Sequence, residues 1–163
     1  MGDCSDSLKP FLGNIGIQFR GYDWDGIVKD NVPGPYRPSS VDFILVTDDS
    51  IDFIEFKGGD ICKPGILDNL RMKAVDTSLV FDRFFPSDEC QSILPRNLII
   101  VYRDHRRAVS SFQDDVSRIG RAMSRFSVRD VHGNRIYYDD VLVMSTLEFD
   151  LHMESRFSSD RAS

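Results

Sequence analysis

VDFILVT (residues 41–47) and IDFIEFK (residues 51–57) are the two stretches that decide the fold of this chain. Both are rich in β-branched and aromatic residues, and the polar residues between them are typical of a turn. They therefore predict two neighbouring antiparallel strands joined at residues 48–50. Apolar side chains occupy both faces of this pair, so we expect other elements to cover the sheet on both sides.

The flanking segments predict alternating helices and strands. Apolar residues recur at helical spacing in residues 66–85 and 110–126, and a short helix is one interpretation of residues 22–31. Further strands are predicted at 97–103 and 140–146. The order strand–strand–helix–strand–helix–strand indicates an α/β fold, a mixed central β-sheet flanked by helices. Residues 1–150 are predicted to form one domain, and the polar segment 151–163 to be a disordered tail.

The turn length determines which side chains of the two strands face each other. A two-residue turn at Asp48 and Asp49 pairs Ile44 with Phe53 and brings Asp42 opposite Glu55. Directly opposed residues have Cβ atoms about 5 Å apart. A three-residue loop would shift the register by one and place the two acids on different faces. A four-residue loop gives the same register as the two-residue turn, so either of these loops predicts that the two acids meet.

Two carboxylates held this close repel, unless a cation lies between them. A divalent ion such as Mg²⁺ or Mn²⁺ would be a simple remedy, because hard cations take carboxylate oxygens. Lys57 follows Glu55 by two residues on the same face, within reach of water or phosphate bound to that ion. Metal, acids and lysine are the parts that phosphodiester hydrolysis requires. The alternative is a salt bridge at the end of a sheet, since about one acid-x-lysine triplet is expected by chance in this chain.

PSSVDF (38–43) followed by IEFKGG (54–59) resembles the PD-(D/E)xK nuclease superfamily, over residues 38–103 and more loosely to 146. The resemblance implies a restriction-endonuclease-like core and a metal-dependent nuclease. It also implies that Asp42 and Glu55 are metal ligands and that Lys57 is the catalytic lysine. The backbone carbonyl of Phe56 would be a further ligand, and all of these roles are expectations from the family pattern.

The chain departs from that pattern in three places. The proline lies at Pro38, four residues ahead of Asp42 instead of adjacent to it. Many members carry a glutamate on a helix before the hairpin, whereas no glutamate precedes Glu55 here; of the nearby aspartates, Asp25 is the preferred substitute. Asn69 stands where some members have a glutamine. These gaps leave open a catalytically inactive descendant.

The charge distribution suggests where a nucleic acid would bind. The net charge of −6 argues against a general DNA-coating protein, but residues 103–135 carry 8 arginines and 4 aspartates. Arg118, Arg121 and Arg125 recur at helical spacing and are predicted to contact a nucleic-acid backbone. Lys73 and Asn69 on the preceding helix are predicted to lie near the bound phosphate. The alternative is that these residues form an ordinary solvated face.

The remaining features narrow the class of protein. The chain contains no run of about 18 apolar residues, so no membrane span is predicted. The N-terminal segment lacks the pattern of a signal peptide, and we therefore expect a cytoplasmic protein. The main hypothesis is a Mg²⁺- or Mn²⁺-dependent nuclease acting on nucleic acid, DNA in preference to RNA, as a homodimer or with a protein partner. The alternatives are an inactive nucleic-acid- or protein-binding module on the same fold, and a regulatory α/β protein unrelated to nucleases.

Overall fold

The computed structural model describes residues 21–35, 37–58, 65–84, 94–103 and 127–158. The elements are, in chain order, β1 (Gly21–Asp23), α1 (Trp24–Asn31), β2 (Phe43–Val46), β3 (Ile51–Lys57), α2 (Ile66–Phe84), β4 (Arg96–Tyr102), β5 (Asp140–Ser145) and α3 (Thr146–Ser158). The predicted helix at 110–126 lies outside the described residues. None of the helices within the described residues is long and apolar enough to cross a membrane.

The five strands form one mixed sheet in the order β1-β2-β3-β4-β5. Strand β2 pairs antiparallel with both β1 and β3, whereas the β3–β4 and β4–β5 pairs are parallel. The parallel β3–β4 pair needs a crossover connection, and α2 lies in that connection. The predicted α/β class with a mixed central sheet is therefore confirmed.

The predicted hairpin register is also confirmed. Ile44 pairs with Phe53 and Val46 with Ile51. The Thr47 amide donates to the Ser50 carbonyl at 3.0 Å, which closes the two-residue turn. Because side chains alternate along a strand, this register commits Phe53 and Glu55 to one face of the sheet and Asp52 and Ile54 to the other.

Both faces of the sheet are covered, as the sequence predicts. The first face carries Ile44, Phe53, Leu98, Ile100 and Val141, and it packs against Trp24 and Val28 of α1 and Leu70, Ala74 and Phe81 of α2. The second face carries Phe43, Leu45, Ile54, Ile99 and Val101, and it packs against Phe149 and Met153 of α3. The acids of β3 therefore lie between apolar layers, and any charge among them needs a partner.

Helix α1 begins where the sequence provides a cap. The Asp23 side chain accepts a hydrogen bond from the Gly26 amide at 3.0 Å, which satisfies one of the free donors at the helix N-terminus. Trp24, the first residue of the helix, is fully buried and lies edge-on to Phe84, with ring centroids 6.1 Å apart. The short strand β1 just before it was not predicted, because three residues carry too little pattern.

The prediction of a disordered tail from residue 151 is wrong for residues 151–158, which belong to α3. The physical reason is that Phe149 and Met153, one helical turn apart, are both buried against the second face of the sheet. Leu147 and Leu151 are exposed on the outer side of the helix, so its sequence lacks a clear apolar stripe. Residues 159–163 lie outside the described residues.

Candidate functional site

Two backbone amides of the segment before β2 donate hydrogen bonds to side chains of α2. The Ser39 amide donates to Asp76 Oδ2 at 2.9 Å, and the Val41 amide donates to the buried hydroxyl of Thr77 at 2.9 Å. On the other side, the Trp24 amide donates to the carbonyl of Asp42 at 3.2 Å. Asp42 is therefore held between α1 and α2, at the point where its strand begins.

The two oxygens of the Asp42 side chain have different partners. Oδ2 accepts a hydrogen bond from the backbone amide of Phe56 at 2.8 Å, so the carboxylate continues the β2–β3 ladder beyond its last backbone pair. Oδ1 faces the Lys73 ammonium at 3.7 Å. The amide contact limits the rotation of the side chain, and this leaves Oδ1 aimed at the space between β3 and α2.

Glu55 projects into the same space and is almost completely buried, with 1% of its side chain exposed. Lys73 Nζ donates to Glu55 Oε1 at 2.9 Å and to Oε2 at 3.0 Å. Lys57 Nζ lies 2.6 Å from Oε1. Two ammonium groups therefore neutralise this one buried carboxylate.

Asp42, Glu55, Lys57 and Lys73 together form what we call the acid–lysine cluster. Lys73 Nζ contacts both acids, so the separation of Asp42 Oδ1 and Glu55 Oε1 cannot exceed the combined length of the 3.7 Å and 2.9 Å contacts. The two carboxylates therefore converge on one ammonium group. The predicted approach of Asp42 to Glu55 is therefore present in the structure.

The surroundings in the acid–lysine cluster shift the pKa values of Glu55 and Lys73. Burial, and secondarily the charge of Asp42, raise the pKa of Glu55 above its ordinary value, although hydrogen bonds from both lysines act in the opposite direction. Burial alone would lower the pKa of Lys73, but its hydrogen bond to Glu55 and the charges of Glu55, Asp42 and Asp25 raise it overall. The ammonium of Lys73 is thus stabilised by the acids around it.

The donor set is small for a metal site. No group of three or more His, Cys, Asp or Glu residues placed to hold a metal occurs within the described ranges. The two carboxylates of the cluster still fit one class of site, because Mg²⁺ is often bound through one or two carboxylates plus water and phosphate oxygens. Lys73 Nζ contacts both acids, so the two carboxylates already share one positively charged group.

The predicted ligands Asp25 and Phe56 lie beside the cluster. Asp25 Oδ1 accepts a hydrogen bond from Ser40 Oγ at 2.6 Å, and its charge acts on Lys73. Phe56 donates its amide to Asp42. In an extended strand the N–H and C=O of one residue point to the same edge, so the Phe56 carbonyl also points to the side of Asp42.

The predicted nucleic-acid contacts have three different outcomes. Asn69 is exposed on α2, one helical turn before Lys73. Lys73 does not extend freely into solvent; it is paired with Glu55, a role that sequence reasoning missed because nothing local signals a partner 18 residues away. Arg118, Arg121 and Arg125 lie outside the described residues.

A second polar cluster, on the opposite face of β3, was also missed. Asp52 is fully buried, and its Oδ1 accepts hydrogen bonds from Ser50 Oγ and Asn97 Nδ2, both at 2.8 Å. Its Oδ2 pairs with the guanidinium of Arg156 from α3, which also donates to Thr47 Oγ1 at 2.9 Å. We call these residues the Asp52–Arg156 cluster. The available signal was an acid at the second position of an otherwise mostly apolar strand.

The chain matches no family model, no curated protein and no solved structure. The function therefore has to be argued from the residues themselves.

Proposed function

We propose that this chain is a nuclease that hydrolyses phosphodiester bonds of nucleic acid, DNA in preference to RNA, with Mg²⁺ or Mn²⁺ on a restriction-endonuclease-like core. The observation that carries the proposal is the convergence of Asp42 Oδ1 and both Glu55 oxygens on one cation position. The support is chemical: two fixed acids and a partly exposed lysine are a sufficient protein contribution to a magnesium-dependent phosphodiesterase.

Each member of the cluster has a role that follows from its surroundings. Asp42 is oriented by the Phe56 amide and offers its second oxygen to a metal. Glu55 is buried, so its charge acts strongly on any nearby cation. Lys57 has 26% of its side chain exposed, so its ammonium can reach both Glu55 and a group arriving from solvent.

A bound divalent ion would supply an activated water and would neutralise charge on a phosphoryl oxygen. Lys57 would donate a hydrogen bond to the attacking water or to the phosphate, where charge increases as the reaction proceeds. Lys57 is therefore the residue whose loss should reduce catalysis while leaving both acids in place.

Cleavage assays test the proposal. The chain is incubated with supercoiled plasmid, single-stranded DNA and RNA in millimolar Mn²⁺ or Mg²⁺. Lys57→Ala is compared with Lys29→Ala, which removes an exposed lysine of α1 and serves as the matched control. We expect cleavage by the wild type and the control, and a loss on the order of 100-fold or more in Lys57→Ala. A folded wild type that neither cleaves nor binds Mn²⁺ would overturn the proposal.

One observation favours a second candidate, an inactive nucleic-acid- or protein-binding module on the same fold. Lys73 already neutralises Asp42 and Glu55 without a metal, which is what a site that has lost its ion would need. This alternative predicts a folded protein that shows no heat of Mn²⁺ binding at millimolar concentration and that still retards nucleic acid, or retains a protein partner, when divalent ions are chelated.

A further inference from the structure

Lys73 makes the most extensive ionic contacts of the acid–lysine cluster. Its ammonium touches both oxygens of Glu55, at 2.9 and 3.0 Å, and faces Asp42 Oδ1 at 3.7 Å. In the part of the chain that the structure describes, the ion pair of Lys57 is with Glu55 alone. Lys73 is thus the lysine that bridges the two acids, as a metal would.

We propose that Lys73 is a built-in competitor of the metal: its ammonium holds Asp42 and Glu55 together in the metal-free protein and must leave before a divalent ion can bind. The inference rests on the proposed function, because it concerns the same two acids. It goes further by assigning to Lys73 a regulatory role that is distinct from the role of Lys57.

Distances argue that the ammonium and the metal exclude each other. A Mg²⁺ ion binds carboxylate oxygens at about 2.1 Å, so an ion shared by Asp42 and Glu55 lies between the oxygens that Lys73 now contacts. Lys73 Nζ lies 2.9 Å from Glu55 Oε1 and 3.7 Å from Asp42 Oδ1, so it stands between the two acids, whereas the ion pair of Lys57 reaches Glu55 alone. Like charges at such spacing repel strongly in a partly buried site.

The surroundings of Lys73 also allow its ammonium to move away from the two acids. Its side chain is 20% exposed, so part of it is already in contact with solvent. Lysine has a flexible four-carbon stem and three donors, and it can swing towards solvent without movement of the helix. The exposed Asn69 lies one turn away on the same helix. A displaced Lys73 can therefore pair with the phosphate of a nucleic acid.

Calorimetric titration with Mn²⁺ alone tests the inference on the full chain. In Lys73→Met the competitor is removed and most of the stem volume is kept, so we expect Mn²⁺ to bind at least about tenfold more tightly than in the wild type. Lys57→Met is the charge-matched control. It removes an ammonium that contacts one acid only, so we expect it to raise Mn²⁺ affinity clearly less than Lys73→Met does.

Thermal unfolding in a chelating buffer is the second readout. Without Lys73 the two carboxylates repel, so Lys73→Met should have a lower Tm than the wild type in EDTA, and Mn²⁺ should restore it. If Lys73→Met does not fold, Lys73→Arg decides. A guanidinium pairs with carboxylates through two parallel hydrogen bonds and should hold the acids more firmly, so Mn²⁺ affinity should fall below that of the wild type.

The outcomes separate this inference from the proposed function. If the wild type binds Mn²⁺ and Lys73→Met binds it no more tightly, the competitor role is wrong and the nuclease proposal stands. If only Lys73→Met binds Mn²⁺, the competitor role is supported and the wild-type site is closed to metal, which contradicts the nuclease proposal. If neither protein binds Mn²⁺, both ideas fail.

Discussion

Strand β3 carries two buried acids three residues apart, Asp52 and Glu55. The side chains that contact them differ in kind. Asp52 faces α3 and receives hydrogen bonds from two neutral side chains and one arginine. Glu55 faces α2 and is neutralised by two lysines. The first acid receives hydrogen bonds from three different side chains, whereas the second is neutralised by ammonium groups alone.

The partners of Asp52 come from separate parts of the fold. Asn97 belongs to β4, Ser50 to the hairpin turn and Arg156 to α3. The cluster therefore fastens the C-terminal helix to the sheet, and any displacement would leave a buried charge without a partner. The partners of Glu55 are two ammonium groups on long side chains. Saturation by directional hydrogen bonds indicates a structural role for Asp52, whereas for Glu55 we propose that a metal ion takes the place of an ammonium.

The largest effect is expected at Arg156. In Arg156→Met, Asp52 keeps its charge in a dry environment, and the free energy of unfolding should fall by about 3–5 kcal/mol. Urea denaturation measures the change. The control is Arg135→Met, which removes the partly exposed pair with Asp140 and should change stability by about 1 kcal/mol or less. Similar losses in the two variants would contradict the structural role of the Asp52–Arg156 cluster.

A smaller loss is expected from Thr77→Val, which acts on the frame of the other cluster. The substitution removes the buried acceptor of the Val41 amide and should lower the free energy of unfolding by about 1–3 kcal/mol. Because Val41 precedes Asp42, Mn²⁺ affinity should weaken as well. Stability that falls while Mn²⁺ binding is unchanged would show that this hydrogen bond does not position the acid.

Glu55→Gln should change stability still less, by about 1 kcal/mol or less near neutral pH. The two lysines left behind lie near solvent and can extend their ammonium groups into water. Asp52→Asn is the matched change on the other face. It leaves Arg156 without its carboxylate partner and should lower the free energy of unfolding clearly more. Urea denaturation of both variants in EDTA compares them directly; an equal loss at the two positions would remove the contrast between the clusters.

The smallest effect is a pH dependence specific to Glu55. Burial raises the pKa of this carboxyl in the folded state, so the folded state holds the proton more tightly than the unfolded chain does. The stability from that proton is fully present below the ordinary value of 4.5 and is lost as pH rises through the raised pKa. Glu55→Gln has no carboxyl group to titrate at this position, so its stability does not fall with rising pH for this reason.

The difference in unfolding free energy between Glu55→Gln and the wild type should therefore shift in favour of the variant as pH rises above 4.5, and then level off. Urea titrations at a series of pH values in metal-free buffer measure it. A difference that does not vary with pH, or that shifts in favour of the wild type, would mean that the lysines outweigh burial at this carboxyl.

Much of the fold was predictable because it depends on local pattern. The alternation of side chains and the two-residue turn predicted the β2–β3 register, and the apolar spacing predicted α2. The meeting of Asp42 and Glu55 followed from that register alone. The helical state of residues 151–158 was not predictable from such patterns, because Phe149 and Met153 become buried only once the second face of the sheet exists.

By itself, the sequence determined that β2 pairs with β3, which residues of that pair share a face, and that the two acids there would need a positively charged partner. Only the tertiary structure decided which cation neutralises each acid, because those partners come from distant segments. Lys73 reaches Glu55 across 18 residues, and Arg156 reaches Asp52 across 104. The local sequence pattern predicts the periodicity of strands and helices. The pairing of buried charges depends instead on which helices pack on each side of the sheet.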